Sequence, residues 1–165
     1  MIKITVPATT ANMGPGFDCL GMALQIRNTV IIEEWDKELE ILCHDEQSRY
    51  IEKDKTNLIY RSLKKVFELS GKKLPGIKLN LINEIPACRG LGSSAACIAV
   101  GSTAGNILSQ SHLSTNELID IGAQLEGHPD NIVPAFVGGF AISCIENKKV
   151  LYYNNKPHSD FIFSV

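Results

Sequence analysis

The sequence has no apolar run approaching the roughly twenty residues a membrane-crossing helix needs. Its opening, Met1-Ile2-Lys3-Ile4-Thr5-Val6-Pro7, lacks the long apolar core of a signal peptide. Both absences predict a soluble, cytoplasmic chain with no membrane partner. There is no excess of one charge either. The 16 Lys plus Arg and 18 Asp plus Glu leave a net charge of −2, which offers no basic face for nucleic acid. The five cysteines, Cys19, Cys43, Cys88, Cys97 and Cys144, are odd in number and form no C-x-x-C pair, so they read as reduced thiols rather than a disulfide framework or a metal knuckle. Internal repeats and low-complexity segments are missing too, as is the G-x-x-x-x-G-K-[ST] of a P-loop. What remains is 165 residues with 44% hydrophobic and 21% charged side chains, enough for one domain with a real core.

The informative stretch is Pro86-Ala87-Cys88-Arg89-Gly90-Leu91-Gly92-Ser93-Ser94-Ala95-Ala96. It follows a strand pattern in which Ile77, Leu79 and Leu81 alternate with Lys78 and Asn80, and it leads into a small-residue apolar run, Ala95 to Leu108, that reads as a buried helix. Glycine lets backbone approach a ligand closely, and Ser93 or Ser94 can cap the helix. A loop of this kind turns N–H donors and the positive end of a helix dipole toward one place, which suits an anion, above all phosphate. The same composition also fits a plain Gly-Ser structural turn. Gly90-Leu91-Gly92-Ser93-Ser94-Ala95 satisfies the dinucleotide fingerprint, but Gln110 to Leu113 lead to another helix rather than a strand with an acidic end. A hydrolase elbow is one residue away from Gly92 to Ala96, but no Asp and His follow in a suitable arrangement.

Along the chain, residues 2 to 6 alternate as a strand that Pro7 ends. Ala8 to Asp18 is a turn-rich segment, either a surface loop or a pocket wall supplying Asn12 and Asp18. Ala23 to Glu34 and Leu39 to Cys43 read as an antiparallel pair, with polar loop from His44 to Asp54. Thr56 opens a helix whose Ile59, Leu63, Val66 and Phe67 share one face and which Gly71 closes; Asn57 in its first turn reads as a capping amide. Ser114-Thr115-Asn116-Glu117 is a capping box for a helix stopped by Gly127 and Pro129. The following Glu126-Gly127-His128-Pro129-Asp130-Asn131 is either helix-terminating loop chemistry or a cluster of four functional side chains. Val137 to Ile142 reads as a glycine-bent core strand, with Lys149 to Tyr153 pairing across Asn147-Lys148. The apolar end, Phe161-Ile162-Phe163-Ser164-Val165, predicts an unpaired edge and self-association, as in a homodimer.

Three stretches in this order, Val6 to Asp18, Pro86 to Ala96 and Glu126 to Asn131, strongly resemble the GHMP small-molecule kinase superfamily, and within it the members that phosphorylate L-homoserine. The resemblance implies an α+β fold, the ribosomal-protein-S5-domain-2-like N-terminal domain of GHMP kinases, with a mixed sheet backed by helices over 56–70, 93–109 and 115–126. It implies that Pro86, Ala87, Cys88, Arg89, Gly90, Leu91, Gly92, Ser93, Ser94, Ala95 and Ala96 wrap the phosphates of ATP, with Asn57 near the nucleotide base. Ser94 and Glu126 would hold Mg²⁺. Asn12, Asp18, His128, Asp130 and Asn131 would surround L-homoserine, with Asp130 and Asn131 as the catalytic residues. By the same resemblance, residues 1–157 form an ATP-binding domain and 158–165 begin a second domain that closes the cleft, so the chain alone should turn over poorly. Other GHMP kinase substrates, mevalonate-like or sugar, and a catalytically silent nucleotide-binding module remain open.

Overall fold

The alternation of Ile77, Leu79 and Leu81 with Lys78 and Asn80 produces a strand whose three apolar side chains are all buried. In a computed structural model, which describes residues 1–156, this strand is the fourth of six. The order is β1 (Ile2–Ala11), β2 (Leu20–Trp35), β3 (Leu39–Cys43), α1 (Leu58–Ser70), β4 (Gly76–Asn83), α2 (Ser93–Ser109), α3 (Thr115–Glu126), α4 (Ile132–Val137), β5 (Phe140–Glu146) and β6 (Lys149–Asn155). A 3-10 turn, Glu46–Tyr50, interrupts the loop after β3.

The 16-residue β2 is the spine of a mixed sheet. Antiparallel β1 runs along it from Ile2↔Ile32 to Ala11↔Gly21. Antiparallel β4 pairs with its later half and β5 with Leu20 to Met22, giving the order β3-β4-β2-β5-β6 with β1 on β2. The expected antiparallel pairing of 23–34 with 39–43 is overturned, because β4 lies between them and β3 pairs with it in parallel, Leu39 opposite Ile77. Both edges of β4 are thus paired, with β2 on one and β3 on the other, and Gly76 makes its entry possible. A Cβ at Gly76 would stand 2.0 Å from the Lys37 carbonyl oxygen and 2.4 Å from that of Trp35.

Pro7 does not end β1, which continues to Ala11 across a register shift between Pro7 and Thr9. A proline cannot donate to a ladder, and a bulge on a strand with a single partner is where the missing donor costs least. The glycine-bent strand expected over 137–142 begins only at Phe140: α4 ends at Val137, and Gly138 and Gly139 both take positive φ between the two elements. Pro134 is compatible with α4 because it lies in the first turn, where no intrahelical acceptor exists for its missing N–H.

Helices α1 to α4 and the alternate residues of the sheet enclose one core, including Val30, Ile32, Leu63, Ile77, Leu79, Ile98, Ile119 and Ile132. Helices α1 and α2 pack backbone to backbone at Gly101, where a Cβ would come within 2.3 Å of the Ile59 carbonyl oxygen. Buried Asp120 of α3 ties in the β5–β6 hairpin by accepting from Val150 N at 2.7 Å and Lys149 Nζ at 3.0 Å. The fold is therefore the expected α+β arrangement of a mixed sheet backed by helices, and all five cysteines are free. No helix among the described residues is long and apolar enough to cross a membrane. The second-domain start at 158–165 and the self-associating apolar end lie outside the described residues.

Candidate active site

The loop between β4 and α2 is pinned at both ends. At its start the Asn28 side chain, buried within β2, accepts from Glu84 N and Ile85 N, each at 2.9 Å. At its end the Leu91 carbonyl accepts from Thr9 N at 3.1 Å while the Leu91 side chain is buried. Between these anchors Cys88, Arg89 and Gly90 arch out exposed, with Cys88 at φ 58° and Gly90 at φ 71°. Asn28 was not singled out from sequence. Its signal is an amide inside a β-prone run, where Asn is depleted unless it has work to do.

Helix α2 begins at Ser93 with Gly92 as its N-cap in the left-handed region, φ 64°, and no side chain caps it. The expected serine cap is therefore corrected. Ser93 and Ser94 are the first two helical residues, one and two positions too late to cap. The early N–H groups of α2 are consequently left without a side-chain acceptor, the condition under which a helix end receives an anion. Beside them Ser94 Oγ donates to Glu126 Oε2 at 2.7 Å, joining the start of α2 to the last residue of α3.

These parts border one cavity of about 590 Å³, lined by Asn12, Asn57, residues 86–94, Cys97, Glu126 and Asn131 among others. The structure thus brings Asn12, Asn57, Pro86 to Ser94, Glu126 and Asn131 together. Ala95 and Ala96 are not on its wall; they are buried in the core beneath it. Asp18, His128 and Asp130 also lie off that wall. Asn57 is committed as the cap of α1, accepting from Ile59 N at 3.0 Å, and it donates to the Glu52 carbonyl at 2.8 Å.

Asn12 and Asp18, both at positive φ, bracket the loop between β1 and β2, and Asn12 Oδ1 accepts from Asp18 N at 2.8 Å. The Asp18 side chain is exposed, and among the described residues no cation pairs with it. Asp130 is buried; its Oδ1 meets His128 Nδ1 and Asn131 N, each at 2.8 Å, while its Oδ2 has no partner among the described residues. Asn131 Oδ1 accepts from Thr9 Oγ1 at 2.7 Å.

The cavity wall carries two different cysteines. Burial pushes the Cys97 thiol up to about 12, helped by the negative charges of Glu52 and Glu126, whereas Cys88 is exposed. Iodoacetamide at pH 8 should accordingly alkylate Cys88 and spare Cys97, as peptide mapping by mass spectrometry would read. Alkylation of Cys97 first would contradict this. Between the ordinary value of 9.0 and 12 the folded chain keeps the Cys97 proton that the unfolded chain releases, so this thiol lowers stability as pH rises through that window.

Among the described residues no cluster of three or more His, Cys, Asp or Glu side chains is arranged to hold a metal. A single hydroxyl–carboxylate pair such as Ser94 and Glu126 fits Mg²⁺, which binds few protein oxygens and completes its shell with water and phosphate.

Residues 57–139 match the profile of the GHMP kinases N terminal domain. Homoserine kinase of Caldicellulosiruptor bescii is 48% identical over 152 residues, covering 92% of this chain and 49% of the relative. That of Petrotoga mobilis is 47% identical with 92% and 50% covered, so the chain spans about half the length of the curated relatives it matches. Among solved structures, homoserine kinase from Cytophaga hutchinsonii overlays with a TM-score of 0.75 at 31% identity, covering 86% of this chain and 47% of that one. Mevalonate kinase of Methanococcus jannaschii, at TM-score 0.66 and 18% identity over 96% of this chain and 56% of its own, shares the fold.

Proposed function

The chain belongs to the GHMP kinase family, and from that membership we propose that its cleft serves transfer of the γ-phosphoryl group of ATP, with Mg²⁺, to the hydroxyl of L-homoserine. The product is O-phospho-L-homoserine, a step of threonine biosynthesis in the cytoplasm. The observation that carries the reading is the uncapped start of α2 on the cavity wall, with the Ser94–Glu126 pair beside it. Phosphoryl transfer asks a protein chiefly for positioning and for charge placed where the phosphates lie.

Each part has a proposed task. The backbone N–H groups from Gly90 to Ala95 donate to phosphate oxygens, with the α2 dipole adding attraction. Gly90 allows close approach because nothing stands within 4 Å of its absent Cβ. Ser94 and Glu126 hold magnesium, which when bound neutralises charge on the β- and γ-phosphates. Asn57, through its cap, fixes the wall on which the base would rest. Asp18, free of a cation, pairs with the substrate ammonium. Asn12 and Asn131 orient the hydroxyl, His128 and Asp130 support Asn131 from behind, and the loose transition state makes a strong general base unnecessary. Because the chain spans half the length of its relatives, we propose full turnover for a longer polypeptide that contains it.

A transfer assay with labelled ATP across L-homoserine, mevalonate and galactose tests this reading. It should be run on the chain alone and on the chain continued by the second half of a homoserine kinase relative. Homoserine is the expected acceptor, with rates far higher in the continued chain. Preferential labelling of mevalonate or galactose, or nucleotide binding without any transfer in the continued chain, would overturn it.

A further inference from the structure

We infer that Thr9 is a positioning residue for Asn131: its hydroxyl, at the junction of β1, the glycine loop and the start of α4, anchors the Asn131 amide in the orientation that the Asp130 carboxylate selects. What that amide does for catalysis rests on the proposed phosphoryl transfer; that it is fixed rests on the hydrogen bonds alone.

Thr9 is fully buried, and its Oγ1 donates to Asn131 Oδ1 at 2.7 Å. Asn131 stands at the N-cap of α4 yet makes no side-chain cap there, so its own helix does not hold the amide. A flipped amide would place the carbonyl oxygen where Nδ2 now sits, 3.4 Å from Asp130 Oδ1. That carboxylate oxygen would then face another acceptor with no proton between them. The carboxylate therefore selects the orientation, and the Thr9 hydroxyl, which can donate or accept, anchors the amide in it; this leaves a hydrogen of Nδ2 for the cavity that Asn131 lines. A donor held there suits a phosphate or hydroxyl oxygen.

Thr9 is in turn gripped by the loop. Its N–H donates to the Leu91 carbonyl at 3.1 Å, and a Cβ on Gly92 would stand 1.8 Å from its hydroxyl oxygen. One buried threonine thus links the glycine loop, through its N–H, to the neighbouring amide, through its hydroxyl, and a shift of Leu91 and Gly92 reaches Asn131 through two hydrogen bonds.

The test is a ¹⁵N spectrum of this chain in which the Asn131 side-chain pair is identified by its loss in Asn131→Ala. In the parent and in Thr9→Ser the pair should be a single, well-separated set. In Thr9→Val, which keeps the shape and removes the hydroxyl, its two proton shifts should converge or double as the amide, no longer anchored, samples more than one side-chain conformation. Thr9→Ala replaces the valine variant should the latter fail to fold by circular dichroism. The kinetic counterpart, in the continued chain, is a fall in kcat of about tenfold for Thr9→Val with KM for ATP within about twofold, restored by Thr9→Ser. Unchanged Asn131 resonances without the hydroxyl, or Thr9→Ser behaving like Thr9→Val, would overturn the inference. A parent that transfers no phosphate would count against the proposed reaction, while the spectra would still decide the role of Thr9.

Discussion

Glu126→Gln is expected to lower ATP-dependent phosphate transfer by about 100- to 1,000-fold while leaving the fold intact. The substitution keeps size and keeps an oxygen for Ser94 Oγ, which now donates to Glu126 Oε2 at 2.7 Å. It removes only the negative charge, and charge placed against a transition state in a partly dehydrated cleft is worth about 3–4 kcal/mol. Glu126 is the last residue of α3, with Gly127 at φ 99° turning the chain away, so the carboxylate holds neither the core nor a helix cap. Thermal unfolding should therefore move by a few degrees at most. Raising Mg²⁺ should recover part of the lost rate, since the defect is weakened metal binding, whereas Ser94→Ala should cost less because it removes a neutral ligand. A Glu126→Gln variant with the parent's rate and magnesium dependence would contradict the metal role.

How much of this was legible in the sequence varies with the range of the interactions. Helices α1 and α3 were readable because apolar spacing, a capping residue and a terminating glycine all lie within a few residues of one another. Strand β4 and the loop after it were readable for the same reason. The partner of β3 was not, since each of its residues pairs with one 38 positions further along and the pairing depends on the close fit of Gly76 under two carbonyls, neither visible locally. Helix α4 was missed because six residues are too few to show a period and because Gly138-Gly139 reads equally well as a bend.

The site divides along the same line. Residues inside recognisable motifs, Ser94 and Glu126 among them, are picked out by the family resemblance. Residues that act by holding others, Asn28 under the loop and Thr9 against Asn131, look in sequence like ordinary members of a strand. The serine cap was misread for a subtler reason: a helix starting one residue later would have used it, but Gly92 in the left-handed region lets the helix begin at Ser93. That one-residue difference leaves the first amides of α2 without a side-chain cap.

Gly92→Ala against Gly90→Ala measures how much of that opening depends on close packing. Both glycines have positive φ, 71° at Gly90 and 64° at Gly92, so alanine at either position costs about 1–2 kcal/mol of backbone strain. Beyond that they differ, since a Cβ at Gly90 meets nothing within 4 Å, while one at Gly92 stands 1.8 Å from Thr9 Oγ1 and 3.1 Å from Asn131 Oδ1. Thr9 has no room to yield, because rotating its side chain breaks the bond to Asn131 inside the core and shifting its backbone breaks the bond to Leu91. Overpacking of this kind adds about 1–3 kcal/mol, so Gly92→Ala should destabilise the chain by about 2–5 kcal/mol in urea unfolding. The alternative to unfolding is for Gly92 to move away from Thr9, which carries the first amides of α2 with it. Calorimetry with Mg·ADP should therefore show at least about a tenfold loss of affinity for Gly92→Ala and a smaller one for Gly90→Ala. Equal unfolding midpoints and equal affinities for the two variants would mean that the loop is not braced against Thr9, and that its shape is set from Asn28 alone.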